Sequence, residues 1–239
     1  QEQPVQSDQP ADIGNILAAI PGKMLSVILR PADFYRDMPK TGGFVEPLVF
    51  AVAMAVLVAV AVAILGMIGF GTIGMLAMGF FGVIVLPVMV AIGSFIGAGV
   101  IFVIWKLMGS GEDYETAYRC VTHAYAYAPV AALVAGIPYL GSLVQIAWPM
   151  ALLAIASIEV HDRQPKLAWG VFGVLALLGA FSTLGAEYTA RHLGDSLEGW
   201  SQRMEEKYGN PDDMTPEQAG KAVGEFLKGL EQMQQQGRE

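Results

Sequence analysis

The chain has 239 residues, of which 54% are hydrophobic and only 15% are charged, and its formal net charge is −8. Because an average soluble domain has roughly 25% charged residues, this composition excludes an ordinary soluble fold. The acidic excess lies in the tail, where residues 186–239 carry 11 acids against 6 bases, and no concentrated basic patch indicates a nucleic-acid partner. The single cysteine, Cys120, excludes an internal disulfide.

The N-terminal segment precedes the first long apolar stretch. Residues 1–11 lack the basic region and apolar core of a cleavable signal peptide, so we expect a disordered lead-in. Apolar residues at helical spacing then predict an amphipathic helix over residues 12–38, within a segment 12–42 on the cytoplasmic face. This helix would turn its bases toward lipid headgroups, or pack against the cytoplasmic face of the bundle. The bases are Lys23, Arg30 and Arg36.

The next stretch, residues 47–105, contains no Asp, Glu, Lys, Arg or His in 59 positions. As one helix it would be about 88 Å long, nearly three times the thickness of a hydrocarbon core. It must therefore cross a bilayer at least twice. Five glycines within residues 66–79 predict a turn between the two crossings.

Five apolar stretches in all are long enough to cross, and they predict an all-α integral membrane protein. The fold class is a five-span transmembrane helix bundle over residues 43–185, with amphipathic terminal helices. The predicted spans cover residues 47–65, 81–108, 124–137, 141–158 and 167–185. The third is at the short end of what can cross.

Basic residues indicate the orientation of this bundle. With five spans, all eight bases of the N-terminal segment and the short loops fall on one side. They are Lys23, Arg30, Arg36, Lys40, Lys106, Arg119, Arg163 and Lys166. The positive-inside rule then predicts a cytoplasmic N-terminus and a C-terminus on the opposite side. Arg191 and Arg203, beyond the fifth span, weigh mildly against this orientation.

The tail, residues 186–239, has two stretches with apolar residues at helical spacing. The second follows a capping box at residues 215–218. Its apolar face predicts a surface for a protein partner or for self-association. That face consists of Val223, Phe226, Leu227 and Leu230.

Candidate chemistry is sparse. No ionisable residue lies near the middle of a predicted span, which counts against a proton- or ion-coupled transporter. Four zinc-competent donors could meet at one membrane face, namely Cys120, His123, Glu159 and His161. A buried thiol beside an interfacial histidine is the commoner arrangement, so we predict neither metal, cofactor nor Cys–His nucleophile. No hydrolase, metalloprotease, phosphate-loop or dinucleotide motif is present, and we expect no enzyme.

Small residues on the second span predict a close helix contact at Gly93, Gly97 and Gly99. Packing within the chain is the simpler interpretation, and a homodimer face is the alternative. The tryptophans and tyrosines near the span ends, Trp105 among them, are typical of an interfacial aromatic belt.

Several short motifs occur in a fixed order. They are R-P-A-D-F-Y-R-D-M-P at 30–39, E-P-L-V-F at 46–50, G-E-D-Y-E-T-A-Y at 111–118, Y-A-Y-A-P at 125–129, P-Y-L-G at 138–141 and I-E-V-H-D-R-Q-P-K-L-A at 158–168. Their order and spacing resemble the Yip domain (Ypt-interacting protein) family over residues 28–185. The resemblance marks as signature positions Glu46, Pro47, Gly111, Tyr125, Tyr127, Pro129, His161 and Lys166.

The resemblance implies five spans, a cytoplasmic N-terminus and a role without catalysis. Eukaryotic members of the family bind Rab-type GTPases, shape membranes and assist vesicle traffic as scaffolds. The short loops of this chain are similar to prokaryotic members. We therefore expect a non-enzymatic multi-pass scaffold whose partners are the lipid bilayer and a protein or a second copy. A small permease or channel for a neutral solute is the alternative. A lipid-handling enzyme would need polar catalytic residues that the sequence does not show.

Overall fold

The computed structural model describes residues 13–67 and 73–208, and in the tail residues 215–218, 220, 221, 223, 224 and 228. Within these residues every regular element is helical, and a 3₁₀ turn spans Tyr125–Tyr127. The α-helices are α1 Ile13–Leu29, α2 Pro31–Asp37, α3 Val45–Met67, α4 Ile73–Leu107, α5 Tyr114–Ala124, α6 Ala128–Val134, α7 Leu140–Glu159 and α8 Pro165–Tyr208. The predicted lead-in, residues 1–11, lies outside the described residues.

The N-terminal segment forms two helices instead of the single predicted helix. The break falls at Arg30, whose backbone is not helical (φ −140°, ψ 61°). The cause is Pro31, since a proline disfavours helical backbone at the residue before it. Helix α1 buries Ile20 and Val27, which join the core of the bundle.

Four helices are long and apolar enough to cross a membrane: Val45–Met67, Phe81–Leu107, Leu140–Glu159 and Pro165–His192. They coincide with the predicted first, second, fourth and fifth spans. Helix α4 already begins at Ile73, so part of the predicted glycine-rich turn is helical. Residues 68–72 of that turn lie outside the described residues.

The predicted third span, residues 124–137, is not among these four. The chain there is divided between α5, the 3₁₀ turn and the seven-residue α6. Pro129 accounts for the interruption, because it has no N–H to donate to the carbonyl of Tyr125 four residues earlier. The tighter bond from the Ala128 N–H to that carbonyl takes its place. The structure therefore supports a multi-span helical protein, and the number five stays a prediction.

The described helices of residues 13–184 pack around one hydrophobic core. Helix α3 lies along α4 and also contacts α5 and α6, while α2 packs against the end of α7. The largest buried side chains at these contacts include Tyr35, Phe50, Trp105, Tyr118 and Phe172. Most of them lie near one end of the bundle, where α3 begins and α4 and α7 end. That end also holds most of the polar contacts.

Residues 185–239 form a second compact unit. Thr215 and Gln218 make the reciprocal hydrogen bonds of the predicted capping box, with 2.9 Å from the Thr215 N–H to Gln218 Oε1. Val223 is exposed. The other residues of the predicted tail face, Phe226, Leu227 and Leu230, lie outside the described residues.

Candidate functional site at the polar end of the bundle

Glu46, in the first turn of α3, is the centre of a polar network. Its Oε1 accepts a hydrogen bond from Lys23 Nζ of α1, and its Oε2 accepts one from Arg119 Nη2 of α5 at 2.7 Å. His123 Nε2, one turn further along α5, lies 3.3 Å from Oε1. One carboxylate thus joins three helices. The sequence placed Glu46 at the edge of a span without indicating these partners.

Arg119 connects this network to the loop between α2 and α3. Besides Glu46, its guanidinium donates to the carbonyls of Pro39 (Nε, 2.8 Å) and Gly43 (Nη1, 3.0 Å). The residue is only 5% exposed. A planar guanidinium with several fixed donors suits this combination of a carboxylate and two carbonyls. The loop is therefore held against α5 by a buried side chain.

His123 is packed as well as hydrogen-bonded. Its Nδ1 donates a hydrogen bond to the carbonyl oxygen of Arg119 at 2.7 Å, because a carbonyl only accepts. The imidazole lies between the rings of Phe34 and Phe50, with centroids 5.1 Å and 5.0 Å away. With both nitrogens engaged and both faces covered, His123 fixes α5 against α2 and α3.

A second polar cluster surrounds His161, just after α7. Its Nδ1 lies 2.8 Å from Ser110 Oγ, and its ring stacks on Trp105 with centroids 3.9 Å apart. Nε2 is buried and has no hydrogen-bond partner among the described residues. Burial, together with the positive charges of Lys40, Arg163 and Lys106, lowers the pKa of His161 to about 3. The imidazole is neutral at physiological pH.

Bases beside His161 hold the loop between α4 and α5. Arg163 Nη1 donates to the carbonyls of Met108 and Gly109, at 3.1 Å and 2.8 Å. Lys106 Nζ lies 3.3 Å from the carbonyl of Ser110 and 3.4 Å from that of Gly111. These contacts satisfy carbonyls at and beyond the C-terminus of α4, where cations are favoured.

Two ion pairs attach the N-terminal segment to the same loops. Arg36 of α2 pairs with Glu159 at the end of α7, at 2.9 Å. Lys40 pairs with Glu112 in the loop after α4, at 2.6 Å, and also donates to the carbonyl of Val160. Both pairs are exposed to solvent, which screens them, so they add little to stability. Their role is to hold α2 and the segment after it against the ends of α4 and α7.

The four candidate zinc donors are not brought together. His123 contacts Glu46 and the Arg119 carbonyl, Glu159 pairs with Arg36, and His161 contacts Ser110. Burial raises the pKa of the Cys120 thiol, so the reactive thiolate is disfavoured. In the part of the chain that the structure describes, no group of three or more His, Cys, Asp or Glu side chains is placed to hold a metal ion.

A cleft of about 650 Å³ opens beside the Glu46 network. Helices α1 and α2 form its two walls, and Glu46, Arg119 and His123 lie at its base. Charged residues of both signs line it, together with apolar side chains. The cleft is the largest space that adjoins the polar network among the described cavities.

Comparison with protein families bears directly on this end of the molecule. The model of the Yip1 domain matches residues 25–186, which include all eight signature positions, the cluster around His161 and, of the Glu46 network, every member except Lys23. The chain belongs to the Yip1 domain family. The match agrees closely with the predicted extent of 28–185. No curated protein and no solved structure gave a significant match.

The remaining signature positions of the Yip1 domain lie at helix contacts, at helix starts and beside a cavity. Tyr127 donates its hydroxyl to the Gln145 carbonyl of α7 at 3.3 Å, and Pro47 and Pro129 are buried at the starts of α3 and α6. Tyr125 lines a small apolar cavity of about 180 Å³ between α3 and α4. Lys166 is exposed at the start of α8.

The three predicted packing glycines differ from one another. A Cβ at Gly97 would lie 3.9 Å from the Tyr125 hydroxyl, so this glycine faces the neighbouring chain segment. At Gly93 and Gly99 a Cβ would meet no described atom within 4 Å. A distance of 3.9 Å is an ordinary van der Waals contact, so the close helix contact and the homodimer face both stay predictions.

Sequence reasoning missed the residues that complete the Yip1 polar end. Arg119 was counted only as a loop charge, and Trp105 only as a belt aromatic. Trp105 is in fact fully buried and donates its indole N–H to Ser157 Oγ at 2.6 Å. A serine near the end of an otherwise apolar helix, predicted at the same membrane face as a tryptophan, could have suggested this bond. The pairing itself depends on tertiary contacts.

Proposed function

We propose that this Yip1 domain protein is a non-enzymatic multi-pass membrane scaffold. The observation that carries the proposal is the pairing of buried polar side chains at one end of the bundle with one another and with loop carbonyls. Glu46, Arg119 and His123 bind one another, and the bases near His161 bind loop carbonyls. Side chains that pair with one another in this way hold helices and loops in place. What remains available for function is the surface that they support.

The proposal includes five crossings, with the N-terminus in the cytoplasm and the C-terminus on the opposite side of a bacterial inner membrane. Contacts between loops support the shared location of the bases. Through Arg36, Lys40, Lys106, Arg119 and Arg163, the N-terminal segment, the α4–α5 loop and the α7–α8 loop meet at one end of the bundle. Positive charge concentrated on one side favours the cytoplasmic side.

We assign the partner-binding role to the tail face of Val223, Phe226, Leu227 and Leu230. A helix of about 20 residues is marginal in water without packing, so an apolar face on it requires a protein surface or a second copy. A Phe226→Asp, Leu230→Asp variant should reach the membrane in normal amount, because insertion depends on spans far upstream. It should lose its native assembly.

The test is the size of the complex extracted gently from membranes, followed by identification of the proteins in it. A Lys221→Asp variant is the matched control, since it adds negative charge to the same segment at an exposed polar position. Retention of the full assembly by the Phe226→Asp, Leu230→Asp variant would contradict the assignment.

Uptake of a neutral solute by liposomes that contain the purified protein, but not by empty ones, would support a permease instead.

A further inference from the structure

The cleft beside Glu46 is lined by charges of both signs. Lys23 and Ser26 of α1 line the cleft, and so does Arg30 at the junction of α1 and α2. On α2, Asp33 and Asp37 are four residues apart and line it too. Basic and acidic side chains therefore border one space of about 650 Å³.

Part of this charge is not used inside the protein. The guanidinium of Arg30 has no ion-pair partner in the part of the chain that the structure describes, and Lys23 gives one of its three donors to Glu46. Asp33 pairs with Arg36 at 3.2 Å, whereas Asp37 accepts no hydrogen bond from a described residue. Arg30 and Asp37 both line the cleft and are both exposed.

The location of the cleft matches the boundary between lipid and water. Glu46 at its base stands in the first turn of Val45–Met67, the first candidate span, so the cleft lies where that span meets the polar region. Two apolar side chains, Leu25 and Leu29, also line the cleft and are 56% and 71% exposed. Apolar exposure next to paired charges suits a ligand with both a polar headgroup and a hydrocarbon chain.

From this geometry we propose that the cleft binds a phospholipid whose headgroup carries both a phosphate and a protonated primary amine. Lys23 and Arg30 hold the phosphate, and Asp37 accepts a hydrogen bond from the amine. Leu25 and Leu29 contact the upper part of an acyl chain. A purely anionic headgroup fits less well, because Asp33, Asp37 and Glu46 would repel it. This site goes beyond the scaffold role, which does not require a specific lipid.

The experiment is native mass spectrometry of the full chain in detergent, with equal amounts of phosphatidylethanolamine, phosphatidylglycerol and phosphatidylcholine added. Phosphatidylethanolamine should be retained most, since phosphatidylglycerol has no cation and the trimethylated amine of phosphatidylcholine cannot donate a hydrogen bond. Arg30→Gln should reduce retention of phosphatidylethanolamine about three- to tenfold, the value of one partly exposed charge-assisted hydrogen bond. Asp37→Asn should remove the preference over phosphatidylcholine.

The matched control is Lys166→Gln, which removes an exposed base outside the cleft and should leave retention unchanged. An unchanged thermal midpoint checks that Arg30→Gln and Asp37→Asn fold, as expected for exposed side chains without described partners. Equal retention of the three lipids, a preference for phosphatidylglycerol, or an effect of Lys166→Gln as large as that of Arg30→Gln would overturn the proposal. Displacement of the lipid by an equimolar amount of soluble glycerophosphoethanolamine would also overturn it, by assigning the site to a free headgroup.

Discussion

Arg119 shows how a single residue organises the polar end. It replaces water around three acceptors, the Glu46 carboxylate and the carbonyls of Pro39 and Gly43, while remaining almost fully buried. If the guanidinium were removed, the two carbonyls would lose this donor and Glu46 Oε2 would lose its ion pair, leaving only the contacts of Oε1 with Lys23 and His123. Breaking a buried ion pair from one side is costly because the remaining charge stays desolvated.

Replacing Arg119 by Met should therefore lower the free energy of unfolding by about 3–5 kcal/mol. The measurement is reversible unfolding in mixed detergent micelles, followed by circular dichroism. Lys166→Met is the control, because it removes an exposed base and should change stability by about 0.5 kcal/mol or less. Equal stabilities of the two variants would show that the buried network is not structural.

His161 gives a prediction about pH. Its folded pKa of about 3 lies below the usual value of about 6.5, so the unfolded chain binds a proton more readily than the folded one. Above about pH 6.5 the histidine therefore does not destabilise the folded protein. As the pH falls below this value, it lowers the free energy of unfolding increasingly, by about 2 kcal/mol at pH 5. The thermal midpoint should fall more between pH 7 and pH 5 in the wild type than in His161→Asn. Parallel curves for the two proteins would exclude a buried neutral imidazole at this position.

At the scale of elements, the sequence predicted the long apolar helices well and the interruptions poorly. Span length follows directly from runs without charge, and four such runs became continuous helices. The break at Arg30 follows from the proline after it. The prediction gave more weight to the helical periodicity of the apolar residues than to this local signal. The 3₁₀ turn at Tyr125–Tyr127 likewise follows from Pro129, although the short third stretch already indicated an irregular element.

The connection between α6 and α7 depends on one glycine. A Cβ at Gly141 would lie 2.7 Å from the Val134 carbonyl oxygen and 2.8 Å from the Ala135 Cα, and backbone atoms cannot move aside cheaply. Gly141→Ala should therefore destabilise the protein by about 1–3 kcal/mol. Gly136→Ala, in the same turn, is the control, since no atom lies within 4 Å of its added Cβ. Thermal unfolding in detergent compares the two, and equal midpoints would show that the helices do not approach this closely.

At the scale of the whole molecule, sequence reasoning located the charges but not their pairing. Counting bases in short loops predicted one membrane side for them, and several of these bases do meet at one end of the bundle. Which acid meets which base depends on contacts such as that between Lys23 and Glu46 or between Lys40 and Glu112, which are 23 and 72 residues apart. The cleft could not be predicted for the same reason, because its walls come from two helices that the sequence presented as one.

The central claim is a membrane bundle that crosses five times and gathers its short-loop bases on the cytoplasmic side. It is tested most directly by labelling single cysteines at Ser7 and Ser201, in a background where Cys120 is changed to Ala, with a membrane-impermeant maleimide. In sealed right-side-out vesicles, Ser201→Cys should be labelled and Ser7→Cys should be labelled only after the membrane is opened. Labelling of both positions from one side would contradict five crossings and require an even number.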